Sequence, residues 1–270
     1  MHASSSANLR QKLMQYCDSL GLVYSQFPLN KSLSTEGKVH EGVTNLHMGL
    51  KGVSSIAETM ELAVDIHLAT YNQTSLNVLA ISCVDSVHMI KEAKANGMPI
   101  KAAVPVLNLL AIDEDVVEFD ENLKVMPVLR TSADREALRA AVLSGDIDAV
   151  ISNHTPEDIE SKKVEFDYSA WGAATLSWVF PMMLEAFGEE SMDQWLQTLT
   201  VGNARFVGVK PNEIAIGNDA TFTFFSTEEK TIVSKGGKNG TKGWNVPFEG
   251  RKLAGKVKGT MIHSCYMEAQ

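Results

Sequence analysis

Short apolar runs alternate with amphipathic segments over residues 20–152, and that alternation admits few architectures. The runs are residues 22–25, LNVLAIS at 76–82, IKAAV at 100–104 and IDAVIS at 147–152. Each has the length and composition of a strand. Residues 56–71, 84–96 and 132–143 carry apolar positions at helical spacing. Ser54 or Ser55, and Ser132 or Asp134, supply helix starts; Asn96-Gly97 and Ser144-Gly145 supply stops. Four strands separated by such helices predict βα units and a parallel sheet.

Other segments frame this pattern. Residues 7–20 place Leu9, Leu13, Tyr16, Cys17 and Leu20 on one helical face, with Gly21 as a stop. Residues 30–52 form a polar stretch too long for an ordinary connection, and long loops in compact domains are often functional. From Gly217, β-prone pieces (ATFTFF, TIVS, GKVKGTMI) are parted by glycine-rich turns such as KGGKNGTKG, which predicts a small antiparallel unit. The division expected is residues 1–210 for the parallel part and 211–270 for the β unit. Lys230, Lys235, Lys238, Lys242, Arg251, Lys252, Lys256 and Lys258 lack aromatic interleaving for base stacking, and read as lysines protecting strand edges.

Composition sets the remaining bounds. With 270 residues and 44% of them hydrophobic, the chain can bury a substantial core. A net charge of -9 argues against nucleic acid as a partner, because phosphate binding needs a basic face. Cys17, Cys83 and Cys265 form no CxxC pair and read as reduced thiols. No apolar run approaches the ~20 residues that cross a bilayer. The start, MHASSSANLRQKL, lacks the apolar stretch of a signal peptide, so a cytoplasmic protein with no membrane contact is expected.

In a parallel barrel, reacting groups lie at the C-terminal ends of strands. Those ends here deliver Ser25-Gln26, Ser82-Cys83, Pro105 through Asn108, and Asn153 through Glu157. A hydrolytic metal site needs three or four His, Asp, Glu or Cys side chains converging there. Only His154 and Glu157 qualify, and they share one strand end. No HxH or HExxH pair exists; His67 and His88 fall in helices, while His40 and His47 sit in the long loop within reach of a ligand. Cys83 would be reactive beside a cation, but its neighbour is Asp85. GxSxG, P-loop and GxGxxG motifs are absent.

Five segments together resemble the dihydroorotase family of the amidohydrolase superfamily: residues 41–58, 90–97, 119–138, 145–176 and 244–261. The likeness spans residues 20–262, and 124–138 and 153–172 are its most specific parts. NHTPEDIESK is similar to a subgroup with decayed metal motifs. The resemblance implies an α/β fold: a (βα)8 TIM-type barrel, of which this chain supplies strands five to eight, plus part of a small β-sandwich. The chain is expected to begin near the helix before the fifth strand.

The family holds two zinc ions at the barrel mouth, and a metal-bound hydroxide opens the ring of dihydroorotate or closes carbamoyl aspartate in reverse. By the resemblance, its ligand positions fall here on Ser25-Gln26, on Ala80 of AISC, and on Asn153 of Asn153-His154-Thr155-Pro156-Glu157. PHHL becomes Pro105-Val106-Leu107-Asn108, and NPPLR becomes Met126 through Arg130. Asparagine cannot shuttle a proton, and Glu157 stands where the family grips a carboxylate. No metal ligand, catalytic residue or cofactor is therefore assigned.

Asn108, Asn153 and His154 remain as residues that line a pocket. The expected function is a dihydroorotase-like protein of pyrimidine biosynthesis with a structural or regulatory role. It would act as a homo-oligomer or with another pathway enzyme such as aspartate carbamoyltransferase. The alternatives are an active zinc-dependent cyclic-amide hydrolase and a small-molecule-binding pseudoenzyme.

Overall fold

The structure is a computed structural model and describes residues 6–235 and 241–269. The four expected strands are present: β1 (Tyr24–Gln26), β2 (Leu76–Val78), β3 (Ile100–Pro105) and β4 (Ala149–Ile151). They pair in parallel in sequence order, with Tyr24 opposite Leu76, Leu76 opposite Ile100, and Ala103 opposite Ala149. Helix α1 (Ala7–Ser19) precedes β1; α2 (Ile56–Asn72), α3 (Val84–Ala95) and α4 (Ser132–Ser144) precede the other three strands in turn. Thr131, rather than Ser132 or Asp134, caps α4: its hydroxyl accepts from the Asp134 amide while the Asp134 carboxylate accepts from the Thr131 amide. Gly145 ends that helix at φ 81°, a conformation that costs glycine nothing.

Strand alternation sorts side chains onto two faces. Leu76, Val78, Ile100, Ala102, Val104 and Val150 pack in one core with Leu62, Ile90 and Leu138 of the helices. Val78, Ile100 and Val150 thus face the helix layer. The other face carries Leu79, Ala103, Ala149 and Ile151, which pack with Phe206. Both faces of a parallel sheet are covered, so apolar side chains occur on both and composition alone does not label them.

Three further helices follow, α5 (Val179–Phe187), α6 (Met192–Leu199) and α7 (Val201–Phe206). The last closes the sheet at the N-terminal side of its strands: Asn77 Nδ2 donates to Phe206 O and Lys101 Nζ to Arg205 O, both at 2.5 Å. These donors meet the carbonyl-rich end of α7, where partial negative charge accumulates. A Cβ on Gly202 would lie 2.0 Å from Asp148 O, so only glycine permits this approach.

Residues 30–52 are not a structureless loop. They and Val53 hold two short helices and two two-residue strands, Val39–His40 and Gly52–Val53, which pair in parallel. After α7, β5 (Phe222–Ile232), β6 (Lys252–Ile262) and β7 (Cys265–Glu268) form an antiparallel sheet with β6 in the middle. Leu253 of β6 joins the core that contains Leu184 of α5, and Phe225 lies 4.5 Å from Phe180 between ring centroids. Lys256 and Lys258 sit on the central strand and so do not protect an edge; Lys258 pairs with Glu229. Residues 236–240 of the expected glycine-rich turn, Lys238 among them, lie outside the described residues. Among the described residues, no helix is long and apolar enough to cross a membrane.

Candidate functional site

Because the four strands run parallel, their C-terminal ends share one edge of the sheet. Asn108 follows β3 on the single turn Val106–Leu109 and is buried. Its Nδ2 donates to Val128 O at 3.1 Å, and its Oδ1 is buried without a partner among the described residues. Asn153 follows β4 in a left-handed conformation, φ 49°, and its Nδ2 donates to Met126 O at 3.0 Å. The two asparagines therefore hold one strand-end segment, Met126 to Val128, on either side of Pro127.

His154 spends its Nδ1 on the backbone. That nitrogen accepts from the Thr175 amide at 3.1 Å and the Leu176 amide at 3.2 Å. An imidazole that accepts at Nδ1 carries its proton at Nε2. Burial lowers its pKa, which keeps it in that neutral form. The arrangement leaves one donor, Nε2–H, free for other chemistry. All three residues expected at the site lie at these strand ends, and each is partly committed to holding backbone.

The zinc chemistry implied by the family resemblance has a defined requirement, and the residues present do not meet it. Ala80 follows β2 with φ 55° and offers a methyl group. Gln26 accepts from the Tyr24 hydroxyl at 2.9 Å. Glu157 accepts from the Ser161 hydroxyl at 3.1 Å. Among the described residues, no three His, Cys, Asp or Glu side chains gather where they could hold a metal ion. No reaction step is derived through one.

Behind the strand ends lies a polar cluster that sequence reasoning missed. Glu58, on α2, accepts from the Ser82 amide at 2.9 Å, the Ser82 hydroxyl, and the Ser86 hydroxyl at 2.6 Å. Arg130 gives its Nε–H to Ser82 Oγ at 2.7 Å and lies 3.5 Å from Glu58. The Arg130 Nη1 also meets His40 Nδ1 at 3.1 Å. Burial, then the nearby Arg130 charge, lower the pKa of His40, so it sits neutral as an acceptor. Cys83 belongs to the same cluster, and burial followed by the Glu58 charge pushes its thiol up to about 12. That makes it inert as a nucleophile. His47, His67 and His88 are exposed. One signal was available: Glu58, Glu61 and Asp65 recur at helical spacing on the same face as Leu62 and Ala69, so α2 buries three acids along with its apolar stripe.

A parallel βα sheet with polar residues collected at its C-terminal strand ends is the arrangement of a TIM-type barrel, and here an antiparallel sheet follows it. Residues 24–264 match the model of the amidohydrolase family, and the chain belongs to that family, on its dihydroorotase-like side. It is 34% identical over 260 residues to a dihydroorotase from a Thermoanaerobacter species, covering 95% of this chain and 60% of that protein. A dihydroorotase from Pelotomaculum thermopropionicum is 32% identical over 260 residues, covering 95% of this chain and 61% of the relative. The chain thus spans about three-fifths of the length of these curated relatives. Among solved structures, the L-hydantoinase of Arthrobacter aurescens superposes with a TM-score of 0.84 at 19% identity, covering 99% of this chain and 62% of that one, which establishes the shared fold.

Proposed function

We propose that this protein is a dihydroorotase-like member of its family without catalysis of its own, serving pyrimidine biosynthesis in the cytoplasm in a structural or regulatory role. Its partner in this reading is a second enzyme of the pathway, for which aspartate carbamoyltransferase is the first candidate. The observation that carries the proposal is the fate of the strand-end side chains. Asn108 and Asn153 hold the Met126–Val128 backbone, Ala80 has no donor, and His154 holds residues 175 and 176. Sites rather than folds carry function, and what supports this reading is that no three His, Cys, Asp or Glu side chains gather among the described residues.

The test combines two measurements on the purified protein. Zinc content by elemental analysis is expected to be well below one ion per chain, and neither ring opening of dihydroorotate nor closure of carbamoyl aspartate should be detected. Two tightly held metals, or metal-dependent turnover, would return the protein to the active cyclic-amide hydrolases.

A second reading, binding of a small molecule without turnover, rests on its own observation. The buried Asn108 Oδ1 lacks a donor, and His154 Nε2–H is a donor without a protein acceptor among the described residues. A ligand that carries both a donor and an acceptor, as dihydroorotate and carbamoyl aspartate do, would match them. Such a ligand raises the melting temperature, because it binds the folded state alone.

A further inference from the structure

The seams between successive helices of the outer layer are not closed alike. Between α1 and α2, Arg10 pairs with Glu61 and, at 2.8 Å, with Asp65. From α3 toward the loop after α4, Lys91 reaches Asp146 at 3.4 Å and Lys94 reaches Asp148 at 2.7 Å. The α2–α3 seam is held at the C-terminal side of the strands, where the Ser86 hydroxyl donates to Glu58 at 2.6 Å. No ion pair joins α2 to α3 among the described residues.

Toward the N-terminal ends of the strands, this seam opens into a cleft of about 600 Å³. That volume falls within the range of about 300–1,000 Å³ typical of small-ligand sites. Ala63 and Ala69 of α2 and Ala93 of α3 line it with side chains too short to fill it. Ile66, Met89 and Met98 make the walls apolar, and the two thioether side chains adapt to varied shapes. Helix α1 packs against α2 and α4 against α3, so the cleft is bounded by this chain on both sides. Met98 and Pro99 lead into β3, which places the cleft at the opposite end of the strands from Asn108, Asn153 and His154.

Charge decides what such a cleft would take. Its lining contains one acid, Glu92, and no lysine or arginine. The Glu92 side chain is exposed and makes no hydrogen bond or ion pair among the described residues. Lys91 and Lys94, its neighbours on α3, are engaged with Asp146 and Asp148 instead. We propose that the cleft binds a small amphipathic cation, an ammonium group carried on an apolar body. The body lies among Ile66, Met89 and Met98, and the ammonium donates to the Glu92 carboxylate at the rim, a charge-assisted bond. The net charge of -9 favours the approach of cations. An apolar carboxylate of the same length would instead set two like charges together at the rim, which selects against it.

The inference is independent of whether the strand ends catalyse a reaction, and its test uses three probes of equal length: n-octylamine, n-octanol and octanoate. Isothermal titration calorimetry is run at probe concentrations that leave the far-ultraviolet dichroism unchanged. Octylamine is expected to bind once per chain, octanol more weakly, and octanoate not at all. Glu92→Gln alters an exposed side chain and should weaken octylamine binding about tenfold while leaving octanol binding as it was. Ala63→Leu places a strong helix former at a half-exposed position and should abolish binding of both, with the dichroism and the cooperative melt retained. Absence of saturable octylamine binding overturns the proposal, as does octanoate binding as tightly as the amine. So does octylamine affinity that either folded variant leaves unchanged.

Discussion

Arg130 donates its Nε–H to the Ser82 hydroxyl at 2.7 Å, joining the segment after the 126–128 clamp to the end of β2, 48 residues earlier in the chain. Both side chains are buried, and the guanidinium lies against Glu58 and His40 in the same cluster. Removing Arg130 leaves the Glu58 carboxylate buried with its cation gone, a change that typically costs about 3–5 kcal/mol. Arg130→Ala is therefore expected to lower stability by roughly that amount in urea unfolding. A loss under about 1 kcal/mol, the scale of a surface pair, would show that the cluster is not coupled to folding.

Lys124 carries a second commitment of the same kind. Its ammonium donates to the carbonyls of Phe166, Asp167 and Ser169 at 2.6, 3.0 and 2.6 Å, which uses all three of its protons. Lys162 adds bonds to Ala170 O and Gly172 O at 2.8 and 3.1 Å. Together the two lysines hold residues 166–172 by their backbone. Lys124→Met keeps most of the aliphatic volume but strands three carbonyls. It should cost about 2–4 kcal/mol, from several lost charge-assisted bonds. Limited proteolysis should then cut within residues 165–172; protection equal to that of the parent would refute the assignment.

The sheet and its helices were legible in sequence because periodicity encodes them directly: LNVLAIS and IDAVIS became β2 and β4, and Gly145 ended α4 as its position indicated. What alternation could not label was which face of the sheet met the helices, since Val78 and Leu79 are equally apolar and both are covered. Helices α5 to α7 went unread, and α7 alone decides how the lower end of the sheet closes. At the strand ends, residue type correctly located Asn108, Asn153 and His154 but said nothing of their partners. Each partner lies 20 to 27 residues away in sequence, and such pairings are set by tertiary geometry. Glu58 was hidden for the opposite reason, being a charged residue on a buried helix face, where it is stable only because Ser82, Cys83, Ser86 and Arg130, all distant in sequence, meet it.

Ala80 and Asn153 share an uncommon backbone, with φ 55° and 49°. By the family resemblance these are two positions at which a dihydroorotase carries metal ligands. Ala80→His with Asn153→Asp rebuilds both side chains on that backbone, and histidine and aspartate tolerate it better than most residues. Gln26 and Asn108 still contribute no ligand, His154 has spent Nδ1 on the Thr175 and Leu176 amides, and Glu157 accepts from Ser161, so the two new donors are fewer than the three or four that fix a hydrolytic metal and activate its water. The double variant is expected to gain neither stoichiometric zinc nor ring opening of dihydroorotate. Metal-dependent turnover in it would mean that the remaining strand ends supply more than their residue types allow.

The buried carboxylate Asp65 gives a prediction in pH. Its Oδ1 accepts from Arg10 Nη1 at 2.8 Å, and Arg10 also pairs with Glu61 between α1 and α2. Burial outweighs the Arg10 hydrogen bond and charge, and it raises the Asp65 pKa from 3.8 to about 6. Between those values the folded protein binds a proton that the unfolded chain has released, so stability from this group falls as pH rises. Its contribution is present in full below about pH 4 and is lost as pH climbs through about 6. Asp65→Asn has nothing to titrate. The difference in unfolding free energy, parent minus variant, should therefore decline between pH 4 and pH 7, by up to about 3 kcal/mol. Urea melts of both proteins at several pH values, followed by far-ultraviolet dichroism, measure that difference directly. A difference that instead rises with pH would mean that Arg10, not burial, governs Asp65, and that α1 is held to α2 by an ion pair strengthened by ionisation.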